Sequence, residues 1–120
     1  MKVLETRRVG VVIVIRLDAP GARDGGLVAA DRDRLDAEVA AVDRPRVVVA
    51  LDAMEYLTST GISVLVGLKR RAEAAGGRLL LVGARAHVME LMRVTHLDRV
   101  FEFAATEAEA ITRLGGPEAS

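Results

Sequence analysis

The sequence predicts an α/β fold: a mixed sheet of four to five strands, mostly parallel after an N-terminal hairpin, with about four helices packed mainly on one face. Apolar runs of strand length alternate with segments whose apolar residues recur at helical spacing. Strands that alternate with helices pair in parallel through right-handed crossovers. The link between the first two apolar runs is too short for such a crossover, so these strands should form an antiparallel hairpin.

The first third of the chain predicts the hairpin and one helix. Residues 2–7 are a short mixed strand, and Gly10 introduces Val11–Ile15, whose continuous β-branched content is typical of a strand covered on both faces. Residues 18–26 contain one proline and three glycines, which predicts a loop. Apolar residues at helical spacing then predict an amphipathic helix over 27–42.

The middle of the chain predicts two more buried strands joined by a helix. Residues 46–51 are fully apolar after Arg46, and a helix over 61–75 follows, closed by Gly76-Gly77 as a helix C-terminus should be. Residues 78–83 predict the next strand. The apolar face of the predicted helix consists of Ile62, Leu65, Leu68 and Ala72.

The C-terminal third predicts two helices around a short strand. A helix is expected over 85–95, with Val88, Leu91, Met92 and Thr95 in register, and a strand over 100–103. Thr106 followed three residues later by Glu109 forms a capping box for a last helix, 107–114.

Composition limits the classes of function. A chain of 120 residues with 51% hydrophobic residues is expected to fold as one domain, 1–114, with a tail over 115–120. Seventeen basic residues balance seventeen acidic ones, which argues against direct nucleic-acid binding. Cysteine is absent, so thiolate chemistry is excluded. No segment approaches the roughly eighteen apolar residues of a membrane helix, so we expect a cytoplasmic protein without membrane insertion.

The most informative stretch is the turn between the strand 46–51 and the helix 61–75. It carries three consecutive hydroxyls, Thr58, Ser59 and Thr60, followed by Gly61. Backbone N–H groups and the positive end of the helix dipole lie at a helix N-terminus. A phosphate added there would be well accommodated, and would present about two negative charges to a partner.

The residues from 46 onward resemble the STAS domain of bacterial anti-sigma factor antagonists. The run that carries the resemblance is RVVVALDAMEYLTSTGISVLVGLKRRAEAAGGRLLLVGARAHVMELMRVTHLDRVFEF. It has an apolar strand, an aromatic and apolar pair, a hydroxyl-rich turn ending in glycine, a helix, a Gly-Gly turn and a Leu-Val strand. The likeness covers about residues 46–114 well, and the first 45 residues by element order only.

The resemblance implies a STAS-like fold and a regulatory role. It implies that the protein binds a serine kinase acting as an anti-sigma factor, is switched off by phosphorylation, and is reset by a phosphatase. The family's phosphorylated serine falls on Ser59, with Thr60 as the fallback acceptor, and its glycine falls on Gly61. The expected partner-binding residues are Asp24, Asp52, Thr58, Ser59, Thr60, Gly61 and Ile62.

The chain departs from the family pattern at three positions. Thr58 stands where an aspartate usually precedes the phosphoserine, and Ala50 stands where an acidic residue is common in the preceding strand. Losing a negative charge beside the acceptor should ease the arrival of a phosphoryl group. His96 replaces a glycine before the last strand, where we expect a left-handed backbone that histidine tolerates.

Other readings of the same residues stay open. Ser59 could serve only as a helix cap, in a STAS scaffold that oligomerises as a homodimer or in an accessory module of a lipid transporter. A nucleotide-binding domain would need a phosphate loop, which the sequence lacks. No Gly-x-Ser-x-Gly motif points to an enzyme, and His87 and His96 are not at metal-ligand spacing. We therefore expect no catalytic residues, metal or cofactor, and interpret Asp18, Asp24, Asp52 and Glu55 as solvated loop charges.

Overall fold

The fold is described from a computed structural model, over residues 2–19, 29–55, 57 and 59–115, with the backbone alone for 2–4, 18–19, 29–32 and 60. The element order is that expected of a hairpin followed by alternating helices and strands. The elements are β1 (Lys2–Val9), β2 (Val12–Ala19), α1 (Ala29–Ala40), β3 (Arg46–Met54), α2 (Ser59–Ala74), β4 (Arg78–Val82), α3 (Ala86–Val94), a 3-10 turn (Leu97–Arg99), β5 (Glu102–Ala104) and α4 (Glu107–Arg113).

The strands form one mixed sheet in sequence order, β1-β2-β3-β4-β5. The hairpin prediction is confirmed, since β1 and β2 are antiparallel and pair Val9 with Val12 beside the turn. Gly10 adopts a φ of 62° in that turn, a conformation that glycine reaches without steric cost. The other three strand pairs are parallel, as the alternation with helices predicts.

Among the described residues, helices cover both faces of the sheet, three on one side and one on the other. Alternate residues of β3 point to opposite faces, so Val47, Val49 and Leu51 pack with buried residues of α1, α2 and α3. Val48 and Ala50 pack with α4 instead. Strand β2 alternates in the same way, so the prediction of burial on both faces is confirmed for Val12–Ile15. Val11 is 54% exposed and lies before the strand.

Near the connection between β3 and α2, several strands and helices begin or end at residues other than those predicted. Strand β2 continues through Asp18 and Ala19, into the predicted loop, because these residues find ladder partners in Ala53 and Met54. For the same reason β3 runs to Met54 rather than ending at Leu51. Helix α2 begins at Ser59, two residues before its predicted start. The remainder of the predicted loop and Leu27 lie outside the described residues.

The helix ends follow the predicted chemistry closely. Gly76 has a φ of 81°, the Gly76 N–H donates to the Glu73 carbonyl, and the Gly77 N–H donates to the Ala72 carbonyl at 2.7 Å, which together satisfy the last turn of α2. At α4, the Glu109 N–H donates to Thr106 Oγ1 at 3.1 Å. The Glu109 carboxylate accepts from the Ala105 N–H instead of from the cap residue itself.

The end of α3 confirms one prediction and corrects another. His96 adopts a left-handed backbone with a φ of 62°, as expected where the family has glycine. Thr95, expected on the apolar face of α3, is exposed. Its hydroxyl donates to the Leu91 carbonyl at 2.7 Å, which satisfies the side chain without burying it.

Candidate functional site

The candidate site is the carboxyl edge of the sheet where β3 passes into α2. Ser59 is the first residue of α2 and its side chain is exposed. The Ser59 carbonyl accepts a hydrogen bond from Ser63 Oγ at 3.1 Å, one turn further along. Gly61 is buried and Ile62 is half-buried against the main core. The helix therefore presents Ser59 outward while Ile62, three residues on, packs against the core.

Buried side chains hold the segment between β3 and α2 to the core. Met54 is fully buried, and Leu57 is only 8% exposed. Both belong to the core cluster that α1, α2 and α3 cover. Burying an apolar side chain of this size stabilises the folded state by about 1.5–3 kcal/mol, so the path of the chain is fixed on both sides of Glu55.

Polar side chains from α3 and the residue before it hold the same segment from the other side. Arg85 Nε donates to the Asp52 carbonyl oxygen at 3.1 Å. His87, on the first turn of α3, contacts the Glu55 carbonyl oxygen through Nε2. These side chains satisfy two backbone acceptors that lie beyond the end of the β3–β4 ladder. His87 is exposed on α3.

Asp52 is ion-paired in the structure. Its carboxylate accepts from Arg16 of β2 at two points, Nη2 at 2.8 Å and Nε at 3.3 Å. The two side chains remain 52% and 44% exposed, so the pair is worth no more than about 1 kcal/mol. Asp52 is exposed as expected, but its interpretation as a loop charge is wrong, because residue 52 lies within β3 beside a basic residue of the neighbouring strand. Asp18, expected in the same loop, lies within β2.

Gly83 allows the chain after β4 to pass close to Asp52. Its φ is 71°, and a Cβ at this position would lie 3.2 Å from the Cβ of Asp52. A larger residue would be strained by its backbone and would press on β3. The two strand ends are thus set side by side at this edge.

The structure locates some of the predicted site residues and leaves others undescribed. Asp52, Ser59, Gly61 and Ile62 lie at this edge, at the end of β3 and the start of α2. The backbone of Thr60 is helical. Asp24 and Thr58 lie outside the described residues.

Sequence reasoning missed three residues that support the site, Arg16, Arg85 and His87. Each contacts a residue more than thirty positions away, so its immediate neighbours in the sequence give no sign of the contact. Arg16 alone had a usable signal: pairing the two apolar strands in parallel places it opposite Ala50, two residues from Asp52.

The described side chains form no metal-binding cluster. No group of three or more histidine, aspartate or glutamate side chains among them is placed to hold a metal ion. Within the same residues, no helix has the length and apolar character needed to cross a membrane. The arrangement presents the exposed Ser59 side chain on a firmly held helix start.

The chain is similar to known proteins over most of its length. A model of the STAS domain family matches residues 3–110. BtrV of Bordetella bronchiseptica, named as a candidate anti-sigma factor antagonist, is 29% identical over 89 residues, which are 72% of this chain and 77% of BtrV.

Solved structures share the fold. An anti-sigma-factor antagonist (STAS) domain protein from Planctomyces limnophilus superimposes with a TM-score of 0.77 at 21% identity, over 97% of this chain and 100% of that one. Unphosphorylated SpoIIAA gives 0.63 at 22% identity, over 91% and 93%. Phosphorylated SpoIIAA from Bacillus gives 0.60 at 22% identity, over 91% and 96%. With the family model spanning nearly the whole sheet and its helices, this chain belongs to the STAS domain family.

Proposed function

We propose that this protein is an anti-sigma factor antagonist switched by phosphorylation of Ser59. In the unmodified form, the carboxyl edge of the sheet around Ser59 docks on a serine kinase that acts as an anti-sigma factor. Docking sequesters the kinase and frees its sigma factor. Phosphorylation of Ser59 by that kinase ends the complex, and a phosphatase resets it.

The observation that carries the proposal is the exposed Ser59 side chain at the start of a sixteen-residue helix. A kinase must reach the hydroxyl oxygen, and exposure provides that access. The surrounding backbone is held by Met54, Leu57 and Arg85, so the hydroxyl is presented in a defined place. Such a site suits a modification that changes a surface without unfolding it.

The phosphate would act on the partner more than on this protein. It adds about two negative charges and three strong acceptor oxygens. The N–H groups and dipole of α2 favour negative charge at its N-terminus, so the fold tolerates the group. A partner surface shaped for a neutral hydroxyl would have to accept added charge and bulk, which disfavours the complex.

The docking surface we propose combines polar and apolar contacts. Half-buried Ile62 supplies apolar area beside Ser59. A partner reaching Asp52 would meet the Arg16–Asp52 ion pair rather than a lone carboxylate. Asp24, Thr58 and the Thr60 side chain remain predicted members of this surface.

The relatives support this function. BtrV carries the name of an anti-sigma factor antagonist. SpoIIAA has been solved in unphosphorylated and phosphorylated forms. The proposal for this chain is a non-enzymatic regulator of transcription that works in the cytoplasm through protein contacts.

The first experiment asks whether Ser59 is modified. The purified protein is incubated with ATP and each kinase-type anti-sigma factor encoded in its own genome, and added phosphate is located by mass spectrometry. We expect one phosphate, on Ser59. The variant Ser59→Ala should remain unmodified. The control Ser63→Ala, which removes an exposed hydroxyl one turn away, should be modified normally.

The second experiment asks whether charge at Ser59 controls binding. Ser59→Asp should weaken binding to the kinase at least tenfold, a change of about 1.4 kcal/mol, in isothermal titration calorimetry. Ser59→Ala should bind like wild type. The control Ala108→Asp adds the same charge to the first turn of α4, on the other face of the sheet, and should not alter binding.

The two experiments separate the switch from a scaffold role. If Ser59→Asp and Ser59→Ala both bind and regulate like wild type, the switch is disproved. A wild-type protein that binds its kinase but never acquires phosphate would instead be a scaffold, with Ser59 serving the helix start alone.

A further inference from the structure

A group of arginines surrounds a concave surface at the opposite edge of the sheet from Ser59. Arg46 and Arg78 are the first residues of β3 and β4, and they are register partners. Arg44 precedes β3, and Arg113 is the last residue of α4. All four line a cavity of about 420 Å³, here named the arginine pocket.

Three of these side chains are held in place by hydrogen bonds. Arg46 Nη1 donates to the Leu114 carbonyl at 2.8 Å, and Arg113 Nη1 donates to the Phe103 carbonyl at 2.8 Å. Arg78 Nε donates to the Glu102 carboxylate at 2.9 Å. An arginine fixed in this way loses little further conformational freedom when it binds a ligand.

Positive charge in the pocket exceeds the negative charge beside it. Glu102 pairs with Arg78 and, at 3.9 Å, with Arg113. Arg44 has no ion pair or hydrogen bond from its side chain to the residues that the structure describes. The pocket is therefore lined by four arginines, of which only Arg78 and Arg113 share a carboxylate within the described part of the chain, and repulsion among the positive charges is relieved when an anion binds.

Glycines form one wall of the arginine pocket. A Cβ on Gly77 would lie 1.8 Å from the Pro45 carbonyl oxygen, and one on Gly115 would lie 2.4 Å from Arg46 Nη1. The absence of a side chain at Gly115 lets its backbone come close to Arg46, and the absence of one at Gly77 lets its backbone come close to Pro45. Both glycines line the pocket. Its volume is within the range of small-molecule sites, about 300–1,000 Å³.

We propose that the arginine pocket binds a small anion with at least two phosphate groups, of the chemical class of inorganic pyrophosphate. The guanidinium fork pairs with phosphate oxygens two at a time, and several arginines together match a ligand with several negative charges. Hydrogen bonds from Arg78, outweighing desolvation, lower the pKa of Glu102, which is consistent with a strongly cationic surrounding. This site is separate from the Ser59 surface and does not depend on the function proposed for it.

The test uses inorganic pyrophosphate as the probe, in isothermal titration calorimetry with the full chain. Wild type should bind one equivalent saturably. Arg44→Asn should weaken binding at least tenfold, because it removes the guanidinium. Asparagine is chosen because it tolerates the φ of 54° at this position. The matched control Arg34→Gln removes a positive charge from α1, outside the pocket, and should change binding less than twofold.

A second variant, a chemical-shift experiment and a second ligand locate the site and identify what it binds. Arg113→Gln provides a second pocket variant and should also weaken binding. Amide chemical-shift changes on adding pyrophosphate should cluster at residues 44–46, 76–78 and 113–115. A nucleoside triphosphate that binds as tightly as pyrophosphate would support the site and name a source of the diphosphate group.

Three results would overturn the proposal. The first is the absence of saturable pyrophosphate binding to wild type up to millimolar concentration. The second is an equal loss of binding in Arg44→Asn and Arg34→Gln. The third is tighter, Arg44-dependent binding of a short single-stranded oligonucleotide, which would make the pocket part of a nucleic-acid surface.

Discussion

The packing around Gly77 leaves no space for a side chain at this position. Gly77 lies between the end of α2 and the start of β4, and its N–H donates a hydrogen bond to the Ala72 carbonyl. The Pro45 carbonyl oxygen occupies the place of a side chain, 1.8 Å from an ideal Cβ. The Arg78 N–H donates to that same oxygen at 2.9 Å, so the carbonyl is not free to move aside.

We therefore predict that Gly77→Ala lowers the free energy of unfolding by about 3 kcal/mol or more, because backbone must shift to admit the methyl group. Gly67→Ala is the matched control. Its Cβ would meet only the end of the flexible Arg71 side chain at 3.1 Å, and helix propensity favours alanine by up to about 1 kcal/mol. Urea denaturation measures both. Similar stability of the two variants would contradict the steric argument.

Some features of individual residues were predicted from the sequence, and others depend on residues distant along the chain. The terminating role of Gly76 was predicted from local helix chemistry, and the left-handed backbone of His96 was predicted from the glycine that the family has at this position. The Pro45 contact of Gly77 comes from a segment thirty-two positions away, and no local pattern reveals it. The same holds for Arg85, which reaches the Asp52 carbonyl.

The short edge strand β5 is tied to the sheet by its side chains as well as its ladder. Glu102 is the register partner of Leu80, and its carboxylate accepts hydrogen bonds from Arg78 of β4. These hydrogen bonds hold the pKa of Glu102 below its usual value of 4.5. A group whose pKa is lowered on folding stabilises the protein above its unfolded-state pKa, and that contribution fades as the pH falls through the folded-state pKa.

Accordingly, Glu102→Gln should lower the urea midpoint at pH 7, and the gap from wild type should narrow at about pH 3. The effect should stay below about 1 kcal/mol, because the two side chains are 44% and 43% exposed. The control Glu55→Gln alters an exposed carboxylate without an ion pair to any described residue, and should produce a smaller gap at pH 7. If the difference in urea midpoint between Glu102→Gln and wild type is the same at both pH values, the ionised Glu102 carboxylate does not stabilise the fold and the prediction is wrong.

The boundaries of elements were predicted less well than their existence. Every strand and helix was expected, yet β2 and β3 each run further than their apolar residues suggest. Their extension depends on pairing with each other, Asp18 with Ala53 and Ala19 with Met54. Hydrogen bonding between strands therefore decides where they end, and a single segment of sequence does not contain that information.

The molecule as a whole has unequal layers on the two faces of the sheet. Three helices cover one face, whereas among the described elements only α4 covers the other. Ala110, Ile111 and Leu114 of this short C-terminal segment pack on Val48, Leu80 and their neighbours. Burial of the second face therefore depends on a few side chains near the end of the chain.

We predict that Ile111→Ala lowers the free energy of unfolding by about 2 to 4 kcal/mol, since the side chain is only 7% exposed and its loss leaves a cavity over the sheet. Val94→Ala removes a β-branched side chain that is 68% exposed on α3 and should change stability by less than about 0.5 kcal/mol. Chemical denaturation compares the two. An Ile111→Ala variant as stable as Val94→Ala would mean that α4 is dispensable to the core.

The order of elements, the antiparallel hairpin, the parallel remainder and the hydroxyl-rich helix start all follow from the chain alone. Hydrophobic periodicity and turn residues are local properties, and they act on neighbouring residues whatever the rest of the fold does. Folding in three dimensions was needed to bring Arg16 to Asp52, Arg85 to the end of β3, and four arginines around one cavity. Those groupings join residues far apart in sequence, so their geometry exists only once the sheet and its helices have packed.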